Sequence, residues 1–231
     1  MSAGLSLYFD AMSQPSRAVL ILLRANNLPF TPKIINVVKG DQYKPEFKKI
    51  NPNKKIPVID DNGFVLFESH AILRYLCNKY NLPDHWYPKD PQKRALVDQY
   101  LDWHHTYTRT AAHHFREKYM APRFGIQIDE KSSAESFKTF QFALKQLDTN
   151  FLQSNRFIIG GDKPSIADIS AVCELIQLQM VRFDFSPFAN VDKWMKDVAA
   201  SVPAFDEVHK IFYSVRDREL AGLSTAPKAK L

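Results

Sequence analysis

Four short segments set reactive or ligand-holding side chains where a helix or strand begins. The first is Ser13-Gln14-Pro15-Ser16-Arg17, between an apolar strand pattern and a helix pattern. A serine there caps the helix, and a proline in the first turn lacks only an N–H with no intrahelical partner. The same hydroxyl, with the positive helix end, can instead donate to a bound anion. The second segment is Lys55-Ile56-Pro57-Val58. Its proline marks a strand edge or turn, or else a cis bond, found in roughly one X–Pro bond in twenty. A cis bond would present the backbone of Ile56 to an extended peptide, as an added strand does. The third is Glu68-Ser69-His70-Ala71-Ile72. Ser69 reads as a helix N-cap and Glu68 as a surface acid. Together they could hold an amino-acid head group, the helix end and Ser69 taking the carboxylate and Glu68 the ammonium. The fourth, Ser165-Ile166-Ala167-Asp168, reads as a structural helix start, with Ile166 as staple and Asp168 as a buried cap.

Other residues that could do chemistry lack partners. His104, His105, His113 and His114 share one helical stretch at spacings that suit metal ligands, but no acid or cysteine completes a site. They read as polar lining or surface, and no metal is expected. Cys77 and Cys173, the two cysteines, lie on apolar helix faces and read as buried, reduced thiols.

Composition narrows the partners. The chain has 231 residues, 45% hydrophobic and 24% charged, with a formal net charge of +6. That is an ordinary globular composition. The basic residues are scattered without a run of five, so a surface favouring small anions is expected rather than a nucleic-acid partner. No stretch approaches the ~20 apolar residues of a membrane span. The opening MSAGLSLYFD lacks the basic segment of a secretory signal.

The elements that must position these residues fall in two groups. Leu5 to Phe9 predicts a strand, Gln14 to Asn26 a helix, and Phe30 to Val38 a second strand. Gly40 to Lys49 predicts an irregular helix. Ile56 to Ile59 and Phe64 to Phe67 predict strands joined by a tight turn at Asp60-Asp61-Asn62-Gly63. A helix follows from Ser69 to about Tyr80. Asn81 to Pro91 carries three prolines and reads as a linker. Beyond it only helix patterns occur: Gln92 to about Met120, Ser133 to about Gln153, Ile166 to about Met180, Val191 to Ser201, and Phe205 to about Leu220. The expected organisation is an α/β domain over residues 1–82, a linker over 83–91, and an all-α domain over 92–231.

In this order and spacing the segments resemble the glutathione transferase superfamily over nearly the whole chain. LYFDAMSQPSRAV, NPNKKIPV, ESHAILRYL, DHWYP and the SIAD helix start carry the likeness. SQPSRAV, HWYP and VDQYLDWH resemble the theta class in particular. The resemblance implies a thioredoxin-like first domain with a mixed four-stranded sheet, followed by an all-helical domain. It implies glutathione as co-substrate, with no other cofactor, lying along Ile56 and Pro57 with its γ-glutamyl end at Glu68 and Ser69. It also implies Lys55 and Gln42 near the glycyl carboxylate, although the family often has His where Gln42 stands. Arg109 matches a theta-class arginine tied to the catalytic site; a surface ion-pair partner is its plainer reading.

The mechanism implied is thiolate chemistry. A free thiol has a pKa of ~8.5, so little is ionised at neutral pH, and the thiolate is the nucleophile. Ser13 would donate to the sulfur and favour the anion. The thiolate then attacks a small apolar electrophile or reduces an organic hydroperoxide. Tyr8 is the runner-up for the thiol contact. Tyr107, Phe115, Tyr119 and Phe124 are expected to line the acceptor pocket. The resemblance further implies a homodimer. The alternative is a non-catalytic glutathione-fold binding or structural protein, against which Ser13, Lys55-Ile56-Pro57, Glu68 and Ser69 speak; a dehalogenase-type or isomerase member would use the same site. The expected address is the cytoplasm, or the peroxisome through the terminal Ala229-Lys230-Leu231, a variant of Ser-Lys-Leu.

Overall fold

The computed structural model describes residues 4–223; the terminal Ala229-Lys230-Leu231 lies outside the described residues. The first strand, β1 (Leu5–Phe9), alternates as a half-buried strand should, with Leu5, Leu7 and Phe9 inward. Its crossover, α1 (Gln14–Ala25), returns the chain to β2 (Thr31–Ile34), parallel to β1. Strand β2 is shorter than its apolar pattern predicts because two carboxylates take the next backbone donors. Asp41 accepts from the N–H of Asn36 at 2.9 Å, and Asp10 from that of Val37 at 3.1 Å. The irregular helix resolves into a short 3-10 turn over Asp41–Tyr43 and α2 (Pro45–Ile50).

Strands β3 (Val58–Asp61) and β4 (Phe64–Phe67) form an antiparallel hairpin. Its turn is Asn62-Gly63, with φ of 56° and 94°, the pair of positive φ values a two-residue turn requires. Asp60 and Asp61, expected in the turn, complete β3 instead. The sheet order is β2-β1-β3-β4, with β1 antiparallel to β3. After α3 (Ser69–Lys79), the proline-rich connection is fastened down. Trp86 is buried and donates to Asn26 at 3.1 Å, and its carbonyl accepts from Ile166 at 2.9 Å.

The rest of the described chain is helical: α4 (Pro91–Thr106), α5 (Ala111–Phe115), α6 (Ala121–Phe124), α7 (Glu130–Gln146), α8 (Ile166–Ile176), α9 (Ala189–Ser201) and α10 (Phe205–Leu223). The single long helix expected over 92–120 breaks at Tyr107. A 3-10 turn over Thr108–Thr110 follows, with Thr108 buried against the Tyr100 hydroxyl at 3.0 Å. Arg109 sits in that turn. Every residue of α8 is buried. Its start is a structural helix start, as expected, but Ser165 holds the N-cap and Asp168 the third helical position of a capping box: Asp168 accepts from the N–H groups of Ser165 and Ile158, each at 2.8 Å, and from the Trp194 indole at 2.9 Å. Helices α1 and α8 pack together, so one hydrophobic cluster runs from Leu5 in the sheet to Phe212 in α10.

Candidate active site

A cleft of about 270 Å³ opens where α1, the β3–β4 hairpin, α3, α4 and α8 meet. Lys55, Ile56, Pro57, Glu68, Ser69 and Arg109 all line it, drawn together from positions up to 54 residues apart in the chain.

Ser13 holds the N-cap position of α1 with φ −80° and ψ 123°, and its carbonyl accepts from Arg17 N–H at 3.0 Å. Its hydroxyl makes no capping hydrogen bond, contrary to the cap expected from local sequence. Pro15, in the same first turn, lines the cleft. The Ala11-Met12 segment before Ser13 is held by Arg17, fully buried, which donates to the carbonyls of Ala11 at 3.2 Å and Met12 at 3.1 Å. Tyr8 lies outside the lining and packs on Phe47; burial, then the charge of Asp60, raises its hydroxyl pKa.

One wall comes from the sheet-bearing part. Asn51, buried, shapes the turn that delivers Lys55: its side chain donates to the Lys55 carbonyl at 2.8 Å and accepts from Asn53 N–H at 3.0 Å. Lys55 is exposed, Ile56 half-buried, and the Ile56-Pro57 bond is cis. Glu68 takes the N-cap position of α3 that was assigned to Ser69, with φ 70° and ψ 111°. A non-glycine residue held there costs on the order of 1–3 kcal/mol, and such positions cluster at ligand sites. Ser69 becomes the first helical residue, so its hydroxyl is not occupied as the cap.

The other wall comes from helices and is mostly enclosed. His70 meets Ser170 Oγ through Nε2 at 2.7 Å, and its ring lies 4.9 Å from His104 and 4.5 Å from His105. Burial, followed by the charges of His105 and Arg74, pushes the His70 pKa down to about 3. His104 is lowered by burial, then by His70 and Arg109, so both rings are neutral at physiological pH. Glu174 accepts from Arg109 Nη1. Among the described residues no group of three or more His, Cys, Asp or Glu side chains could hold a metal ion.

Three expectations are not met by the geometry. Ser13 is not itself in the lining, which takes only Pro15 from that turn. Gln42 is absent from the lining; it is buried, and its amide donates to the Val37 carbonyl at 3.4 Å. The four aromatic residues are elsewhere too. Tyr107 stacks on Trp103 at 4.9 Å, Phe115 on Tyr119 at 5.1 Å, and Phe124 is exposed. The break at Tyr107 turns Arg109 into the cleft, while Tyr107, Phe115 and Tyr119 pack in ring pairs away from it.

The geometry has close relatives. Residues 7–84 match the glutathione S-transferase N-terminal domain, and residues 89–201 the glutathione S-transferase C-terminal domain. The chain belongs to the glutathione S-transferase family. Glutathione S-transferase T1 of Arabidopsis thaliana is 41% identical, over 95% of this chain and 96% of its own. Glutathione S-transferase T2 of the same plant is 43% identical over 93% of this chain, which spans only 38% of that longer relative. The structure of human glutathione transferase theta-2 in complex with glutathione superposes with a TM-score of 0.86 at 34% identity, covering 97% of this chain and 93% of that one. The family likeness is thus to its theta class.

Within this glutathione S-transferase, sequence reasoning missed Asn51, His70, Ser170 and Glu174 as cleft residues. A signal for two of them was present. Ser170 and Glu174 stand four apart on a helix otherwise almost wholly apolar, which puts two polar groups on one buried face. Asn51 carried no signal beyond an ordinary turn residue.

Proposed function

We propose that the protein conjugates the glutathione thiolate to small electrophiles and reduces organic hydroperoxides with the same thiolate. The observation that carries the reading is Ser13. Its hydroxyl sits at the positive end of α1, two residues before Pro15 of the cleft lining, and is not used to cap that helix. Glutathione lies along Ile56 and Pro57 in strand-like fashion, its γ-glutamyl end at Glu68 and Ser69 and its glycyl end served by Lys55. Ser13 donates to the sulfur and lowers the thiol pKa, and Arg109 faces the reacting group of the acceptor. Gln42 contributes through the Lys55 side of the site only if its amide leaves Val37.

The test is Ser13→Ala against Tyr8→Phe, followed by conjugation rate and thiolate absorbance. Ser13→Ala should lower turnover roughly a hundredfold, a usual loss for one positioned donor, with the melting temperature unchanged. Full activity and ionisation in Ser13→Ala, with both lost in Tyr8→Phe, would overturn the serine assignment.

The domain division at 82 and 91, with acceptor binding in the second domain, belongs to the same proposal. So does a homodimer. Phe64, Val65 and Phe67 on the sheet-edge strand β4 and Leu96 on α4 are exposed apolar side chains that a second copy would cover. Among the described residues no helix is long and apolar enough to cross a membrane. The compartment proposed is the cytoplasm, or the peroxisome if Ala229-Lys230-Leu231 is read; import that survives deletion of Leu231 would remove the second address.

A further inference from the structure

Glu174 is one of the most enclosed residues of the cleft, 2% exposed, on the fully buried α8. One carboxylate oxygen accepts from Arg109 Nη1, and the other has no hydrogen-bond partner among the described residues. Arg17 is held nearby: its Nη2 donates to the carbonyl of the adjacent Cys173 at 3.1 Å and to Gln177 at 2.8 Å. Burial raises the Glu174 pKa, while Arg109 and then Arg17 pull it back. A buried carboxylate paired with a single guanidinium is a poor device for stability, since apolar side chains of equal volume often replace such pairs without loss. Its presence is explained by its effect on Arg109. The Arg109 side chain is 39% exposed and lines the cleft. A long side chain with that freedom would sample many rotamers unless one end were fixed.

We infer that Glu174 is a positioning residue, which fixes the Arg109 guanidinium from beneath the cleft at the place where the reacting group of the acceptor binds. The inference rests on the reading of Arg109 given above. It also explains why the break at Tyr107 matters: the 3-10 turn brings Arg109 within reach of α8. Glu174 touches neither glutathione nor acceptor in this role. Its loss should therefore appear in turnover rather than in glutathione binding, because misplacing a reacting group slows the step without weakening the tripeptide contacts.

The experiment is a double-mutant cycle of E174Q and R109A, with 4-nitrobenzyl chloride as acceptor at saturating glutathione and cumene hydroperoxide in parallel. E174Q should lower kcat about tenfold while the glutathione KM stays within about twofold, and E174D should fall between it and the parent. In the R109A background E174Q should cost nothing further, because both changes remove one interaction. If E174Q leaves kcat intact while R109A is slow, or if the two losses multiply, Glu174 does not act through Arg109. Should E174Q fail to fold, E174D and R109A/E174D carry the same comparison. Full turnover by R109A alone refutes the Arg109 reading and the inference with it.

Discussion

The two walls of the cleft are built on opposite principles. The sheet-side wall presents loop and strand-end groups, the exposed Lys55 and Glu68 with the more covered Ile56, Pro57 and Ser69 between and beside them, and offers backbone and a strained residue to its ligand. The helix-side wall presents enclosed side chains: His70 of α3 meets Ser170 and His104 of the helical part, and Glu174 holds Arg109 within that part. A surface of the first kind binds; one of the second kind holds position and repels charge. Substitutions in the two walls should therefore fail in different ways.

The largest effect is expected beneath the helix-side wall. Arg17→Met strands the carbonyls of Ala11, Met12 and Cys173 and should cost about 3–5 kcal/mol of folding stability, as other broken buried networks do. Urea unfolding reads it, and a variant as stable as the parent would show that the junction is not held this way. Next comes acid. His70 and His209 both titrate at about 3 when folded, against an ordinary value near 6.5. Above pH 6.5 neither state binds the proton, so these rings leave stability unchanged. Below it the unfolded chain takes up protons that the folded chain refuses, and stability falls, by ~2 kcal/mol per ring at pH 5. Urea midpoints at pH 7.5 and pH 5 should show this, with a shallower fall in His70→Gln; an equal fall would remove His70 from the account.

Smaller effects belong to the sheet-side wall and to binding alone. Glu68→Gln should raise the glutathione KM about tenfold, the loss of one charged contact, with stability within about 0.5 kcal/mol. A shift in the melting curve as large as that in KM would erase the distinction between the walls. Lys55→Met should raise KM only about threefold, and the difference should shrink in 1 M salt because the ammonium is exposed. A salt-independent effect would mean that Lys55 acts by contact rather than by charge.

The same contrast governs what the sequence disclosed. The sheet-side wall was legible because its parts are contiguous: a proline before a strand, an acid and a serine at a helix start, a serine before another. Even there the assignment of caps was wrong at Ser69, since which residue stands outside the helix depends on the positive φ at Glu68 and not on residue type. The shortened β2 was hidden because Asp10 and Asp41 act on it from outside the strand. The helix-side wall was largely illegible. Its residues come from α3, α4, the turn after it and α8, and only packing brings them together. The aromatic residues misled for the same reason: composition alone cannot tell rings that line a cavity from rings that stack on one another.

The hydrophobic cluster that runs without interruption from β1 to α10 has a consequence for how such a molecule can change over time. A sheet-bearing segment and a helical segment that shared only a linker could be exchanged between relatives like cassettes. Here α1 closes against α8, and Trp86 in the connection hydrogen-bonds to both sides. Recombination at the linker would therefore have to carry a matching α1–α8 surface with it. New acceptor preferences would arise more readily by single replacements around the cleft than by trading halves.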